Sequence, residues 1–208
     1  MKTIIKTTLI VAALFFGLTM NAQDQPITFG VKVGANLSNF GGDVENNKAK
    51  FGFNGGVTID YAITPDFYLL SGLEFTTKGA KYEYKEEGEN EKGTMNAMYL
   101  QLPIHAGYKL TIAEGTKLVF HAGPYIAYGI GGKITDEDSE GKVKWDFFGS
   151  KEEGLAKRFD FGLGLGAGVE FGKINVGLGY DFGLLNISHS KEGKLRNMNA
   201  YLTVGYKF

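Results

Sequence analysis

The sequence is 208 residues long, with a formal net charge of -1, 43% hydrophobic residues and no cysteine. Near-neutral charge removes any bulk electrostatic basis for binding nucleic acid. The lack of cysteine excludes disulfides, a thiol nucleophile, thiolate metal ligands and a lipid-modified amino-terminal cysteine.

Residues 1–22 carry Lys2 and Lys6 ahead of the apolar run LIVAALFFGL and end on the small residue Ala22, which is the pattern of a secretory signal peptide. The run is well short of the roughly 20 apolar residues a spanning helix needs. The segment therefore reads as a leader, and residues 23–208 as one barrel domain.

From Ile27 onward the apolar residues recur at every second position, the period that puts one chemistry on each face of a strand. Eight segments of about ten residues or more show it. Their apolar faces run from Phe29 to Leu37, Phe51 to Tyr61, Phe67 to Phe75, Met98 to Tyr108, Leu118 to Ile130, Phe159 to Phe171, Ile174 to Leu184, and through Ala200, Leu202, Val204, Tyr206 and Phe208 at the end. Between them AITPD, TIAEGT and Gly172 with Lys173 are tight turns, whereas GGDVENNKAK, EYKEEGENEKGT, the stretch after Gly131 and SHSKEGKLRN are long and polar. Such alternation of long and short connections is expected of an up-and-down barrel whose rims face different compartments.

Size decides which face is outside. An eight-stranded barrel has room inside only for side chains or one small ligand, too little for the many large residues of the apolar face. The other face carries Gly162, Gly164, Gly166 and Gly168 with Lys32, Asn36, Asn54, Asp60, Glu74, Gln101, His105, Lys109, His121, Arg158, Asp160, Glu170 and Asp181. Glycine there relieves crowding at the axis and permits bending, so the polar face is expected to be the lumen. Closure satisfies every strand, as hydrocarbon requires. The expected fold class is all-β: an eight-stranded antiparallel up-and-down transmembrane β-barrel with short periplasmic turns and long extracellular loops, in the cell outer membrane.

The segments FGVKVGANLSNF, YLQLPIHAGYK, HAGPYIAYGI, DFGLGLGAGVEF and GYDFGLLNIS resemble successive strands of the PorT-like family of small outer-membrane β-barrel proteins. The resemblance implies an eight-stranded outer-membrane barrel. It also implies that the final strand, with Ala200, Leu202, Val204, Tyr206 and Phe208, serves as the assembly signal read by the barrel insertion machinery. The founding member is linked to a protein secretion and gliding system, a role the shared wall motifs do not carry over.

Other motifs favour plain readings. GLGLGA at 162–167 has the spacing of a dinucleotide fingerprint but continues as a strand where a helix is required. DEDSEG from Asp136 opens like a calcium loop but has Phe147 where a bidentate Glu belongs. The charge run EYKEEGENEKG reads as solvated, on the side where divalent ions bridge lipid phosphates. His105 and His121 share the lumen face and could pair as acid and base or as metal ligands, although a hydrogen-bonded plug is the commoner use. No serine sits in a recognisable nucleophile context. No enzyme activity, cofactor or metal is expected.

Trp145, Phe147 and Phe148 in KWDFFGS are candidate loop contacts, since exposed aromatics at a loop tip suit lipid, glycan or protein partners, although packing in a strand extension above the membrane is the commoner use. Shortening the chain between Thr135 and Gly154 is expected to leave folding intact. Three function classes stay open: a structural or surface-interacting barrel, a component of a secretion or envelope assembly, and a narrow pore. Outer-membrane lipid, the insertion machinery and an envelope or secretion protein are the expected partners of a monomeric barrel.

Overall fold

The computed structural model describes residues 26–43, 47–86, 89–137, 141–150, 154–190 and 193–208. The expected signal peptide, residues 1–22, lies outside them. Among the described residues nine antiparallel strands form: β1 (Ile27–Gly42), β2 (Asn47–Ala62), β3 (Phe67–Glu86), β4 (Glu89–Ala113), β5 (Thr116–Glu137), β6 (Lys142–Asp146), β7 (Phe159–Phe171), β8 (Ile174–Gly183) and β9 (Leu195–Lys207). The strand order β4-β3-β2-β1-β9-β8-β7-β5 is closed by pairing of β4 with β5. Eight strands thus make a ring, as the sequence periodicity implied, and β6 is a short addition on β5.

Both ends of the barrel wall meet at one rim, where Gly30 of β1 lies opposite Lys207 of β9. The tight turns share that rim. Gly115 and Gly172 sit at positive φ in two of them, +70° and +56°, the left-handed conformation that glycine adopts without a Cβ penalty.

Side chains alternate about the wall as its sequence does. Phe51, Leu69, Ile104, Leu165, Leu178 and Leu202 are among the large apolar residues exposed on the outside, and Asn36, Asp60, Glu74, Gln101, His105 and Asp181 are buried within. One extra residue of β2 is accommodated in a bulge between the pairs Ala49 with Ala80 and Asn54 with Thr76. There the Phe53 amide donates to the Thr77 hydroxyl at 2.9 Å, replacing a ladder bond the bulge interrupts.

The long-loop end departs from expectation. EYKEEGENEKGT is mostly strand, because β3 and β4 remain paired out to Glu86 opposite Glu89. The stretch after Gly131 likewise continues β5 and returns as β6, with Lys133 opposite Asp146. Charged residues on both faces hid these extensions, since an apolar period marks a strand only where one face meets hydrocarbon or core.

Candidate functional site

Inside the ring the polar side chains form three tiers. At the short-turn rim Lys207 Nζ donates to Asp60 Oδ2 at 2.6 Å and Glu170 Oε2 at 2.5 Å. Lys109 approaches the same two carboxylates at 3.6 and 3.4 Å and lies over the Tyr68 ring at 4.7 Å. Two cations thus neutralise two carboxylates, and the cavity beside them holds only about 60 Å³.

Midway, Lys32 pairs with Glu74 at 2.5 Å, and Gln101 Nε2 donates to Asp181 Oδ2 at 3.0 Å. The expected histidine pair is brought together: Nδ1 of His105 and Nδ1 of His121 are 2.9 Å apart with the rings stacked. Such a bond needs one ring to donate and the other to accept. Among the described residues no three His, Asp or Glu side chains converge as a metal site. Gly164 and Gly166 of GLGLGA lie against these rings; a Cβ on Gly166 would reach His121 at 2.5 Å. The glycines make space for the histidines.

The tier at the long-loop end is the most tightly closed. Lys78 Nζ and Asp160 Oδ2 are 3.6 Å apart with both side chains fully shielded. The ammonium also faces the rings of Tyr125 at 4.4 Å and Tyr99 at 5.4 Å, a favourable arrangement of cation and π face. Asp160 Oδ2 accepts from Asn197 at 2.9 Å and from the Tyr125 hydroxyl at 3.2 Å.

Above this pair the loops fold inward as a lid. Phe40 stacks on Phe147 at 5.8 Å between ring centroids, Phe147 meets Phe148 edge-on at 4.9 Å, and Tyr99 meets Phe148 at 5.3 Å. Ala156, Ile187 and Leu195 complete the cluster. Backbone bonds fix it: Phe147 N donates to Gly132 O, Ala156 N to Phe147 O, and Lys157 N to Ile187 O. Gly129 admits the Phe148 ring, which any Cβ there would strike.

This corrects two sequence expectations. Phe147 and Phe148 are 0% and 4% exposed, while Trp145 is 45% exposed, so only one of the three aromatics is presented to the outside. Apolar side chains at the mouth of a lumen that hydrocarbon does not reach find their burial in one another. The stretch between Thr135 and Gly154, expected to tolerate shortening, contributes the core residues Phe147 and Phe148, and its removal is expected to weaken the fold. Arg158, expected in the lumen, is exposed at the rim, where its Nη1 donates to Gly129 O at 2.8 Å.

Beside the lid a cleft of about 410 Å³ opens among Tyr82, Met95, Ile134, Trp145, Leu155 and Leu195, with Asp43, Asp136 and Lys194 at its margin. His189 stands apart, its Nε2 3.0 Å from Gly149 O. The calcium-like stretch from Asp136 falls partly, at 138–140, outside the described residues. At the other end Ala200 lies opposite Leu37 and Tyr180, and Leu202, Val204 and Tyr206 stand exposed on the outer face. The Phe208 amide donates to Phe29 O at 2.9 Å.

Sequence reasoning missed Lys78, Phe40, Ile187 and Asn197. Lys78 had a signal: the inward parity of Glu74 and Thr76 continues through it, past Phe75, where the apolar face read from the sequence stops.

Among solved structures the chain is similar to Ail of Yersinia pestis, 16% identical over 88% of this chain and 100% of that one, TM-score 0.40. It is also similar to Neisserial surface protein A, 15% identical over 88% and 100%, TM-score 0.44. OprG of Pseudomonas aeruginosa is 13% identical over 87% and 95%, TM-score 0.35. No curated protein matches the chain. The outer membrane protein beta-barrel domain family matches residues 21–189, and with an all-β ring apolar outside and polar inside, the chain belongs to that family and to the outer membrane.

Proposed function

We propose that this is a closed surface barrel that acts through its long-loop end. The observation that carries the reading is the contrast at that end between a sealed lumen, stopped by Lys78, Asp160 and the aromatic lid, and an adjoining open cleft with Trp145 exposed on it. The cleft has the size and apolar lining of sites that take small molecules or an anchoring side chain, about 300–1,000 Å³. With the amino-terminal segment taken as an export leader and an even number of ring strands, this reading has the short turns in the periplasm and the long loops outside the cell. The outward row ending in Tyr206 and Phe208 then serves as the signal to the insertion machinery.

The second reading, a component of a secretion or envelope assembly as in the PorT-like family, uses the same end with a protein as occupant. A photo-crosslinking residue at position 145 separates the two in intact cells. Capture of a defined envelope protein favours the assembly role, and capture of surface glycan or small ligand favours the surface role. Equal labelling from position 145 and from position 173 on the opposite rim would overturn both.

A further inference from the structure

Above the hydrocarbon belt, β2 to β6 project as a sheet whose two faces differ. Following the pairing across it, Lys48 lies opposite Lys81, Lys81 opposite Thr94, Thr94 opposite Thr135, and Thr135 opposite Lys144. This single row crosses five adjacent strands and contains three lysines, two hydroxyls and no acid. At about 4.8 Å per strand it spans roughly 19 Å. The next row toward the barrel, Ala80, Met95, Ile134 and Trp145, has the opposite parity and turns to the lid and cleft. The lysine row therefore points outward, on the same face as Phe75 and Leu100 lower on β3 and β4.

We propose that this row is a docking surface for the phosphate groups of lipids in the leaflet from which the long-loop end emerges. Three observations converge. Lysines directly opposite one another, as Lys48 and Lys81 are, destabilise a sheet, so folding alone does not favour the arrangement. Lys48 is partly offset by Glu83 at 2.5 Å, and Lys92 shares that carboxylate at 3.8 Å, which leaves the face cationic. The row is continuous with the lipid-facing wall: Lys48 stands three residues beyond the exposed Phe51, at headgroup level for a chain that exits hydrocarbon there. Juxtamembrane lysines bind anionic headgroups by electrostatic attraction.

The test uses the full barrel in phosphatidylcholine bilayers doped with phosphatidic acid, reading lipid retained on the protein by native mass spectrometry. The combined variant Lys48→Gln, Lys81→Gln and Lys144→Gln is compared with one of equal charge change away from the row, Lys117→Gln, Lys157→Gln and Lys173→Gln. Heat-modifiable gel migration checks folding of both. Each lysine near an anionic surface is worth about fivefold in binding, so phosphatidic acid enrichment should fall at least about fivefold in the first variant and persist in the second. Replacing the same three lysines by Arg should preserve it, and excess inorganic phosphate should not displace the lipid. Equal retention by wild type and row variant, equal loss in both variants, or full displacement by inorganic phosphate would overturn the proposal. Should the triple variant fail to fold, the three single substitutions on these exposed side chains carry the same comparison.

Discussion

The Lys78 ammonium stands 3.6 Å from Asp160 Oδ2 with neither side chain reaching solvent. That separation is longer than a hydrogen bond, and the cation is held between the Tyr125 and Tyr99 rings. Removing one partner of a buried pair strands the other, at a cost of about 3–5 kcal/mol. We expect Lys78→Met and Asp160→Leu each to destabilise the barrel by that order in urea titrations in lipid vesicles, and the double variant to recover much of the loss. Additive losses would show that the two residues are not coupled.

The lipid-facing assignment is tested by neighbours of opposite parity. Leu165 is exposed on the outer wall, so Leu165→Arg should cost about 2–4 kcal/mol of folding free energy in bilayers. Gly166→Ala, one residue on, should act instead by crowding His121, and an NMR probe of the His105 and His121 rings should register it where Leu165→Arg leaves them unmoved. If Arg is tolerated equally at Leu165 and at the exposed loop residue Ser190, the wall is not where the alternation places it.

Three aromatics in KWDFFGS divide their work. Phe147 is buried in the lid and stacked on Phe40, so Phe147→Ala should lower stability by about 3–5 kcal/mol. Trp145→Ala, on an exposed side chain, should cost under about 1 kcal/mol and reduce crosslinked capture at the long-loop end. As the only tryptophan, Trp145 also reports on the cleft by fluorescence. Its emission should match a partly exposed indole.

What was legible in the sequence was the wall. Phe29 to Leu37 and Phe159 to Phe171 alternate because one face meets hydrocarbon and the other a crowded lumen, and a period of two survives any register. The lid was not legible. Phe147, Phe148 and Ile187 sit in short irregular segments outside the named strands, tied by isolated bridges, Phe148 with Ala156 and Ala156 with Ser188, and irregular segments carry no period. The histidine pair was half legible: parity put both rings inside, but only the strand register could bring Ala106 opposite Ala122 and Gly107 opposite His121, and so the two Nδ1 atoms within 2.9 Å. The lysine row was invisible for the same reason, since its members are scattered from residue 48 to 144 and meet only across five strands.

Whether the lumen is closed is settled most directly by single-channel recording of the purified full-length barrel in planar bilayers. With Lys78 and Asp160 paired beneath Phe147 and Phe148, we expect no steady conductance above the bare membrane. Asp160→Leu with Phe148→Ala, which loosens both the pair and the lid, should produce brief openings. A stable, ion-selective open state in the unmodified barrel would contradict the closed reading and restore the pore.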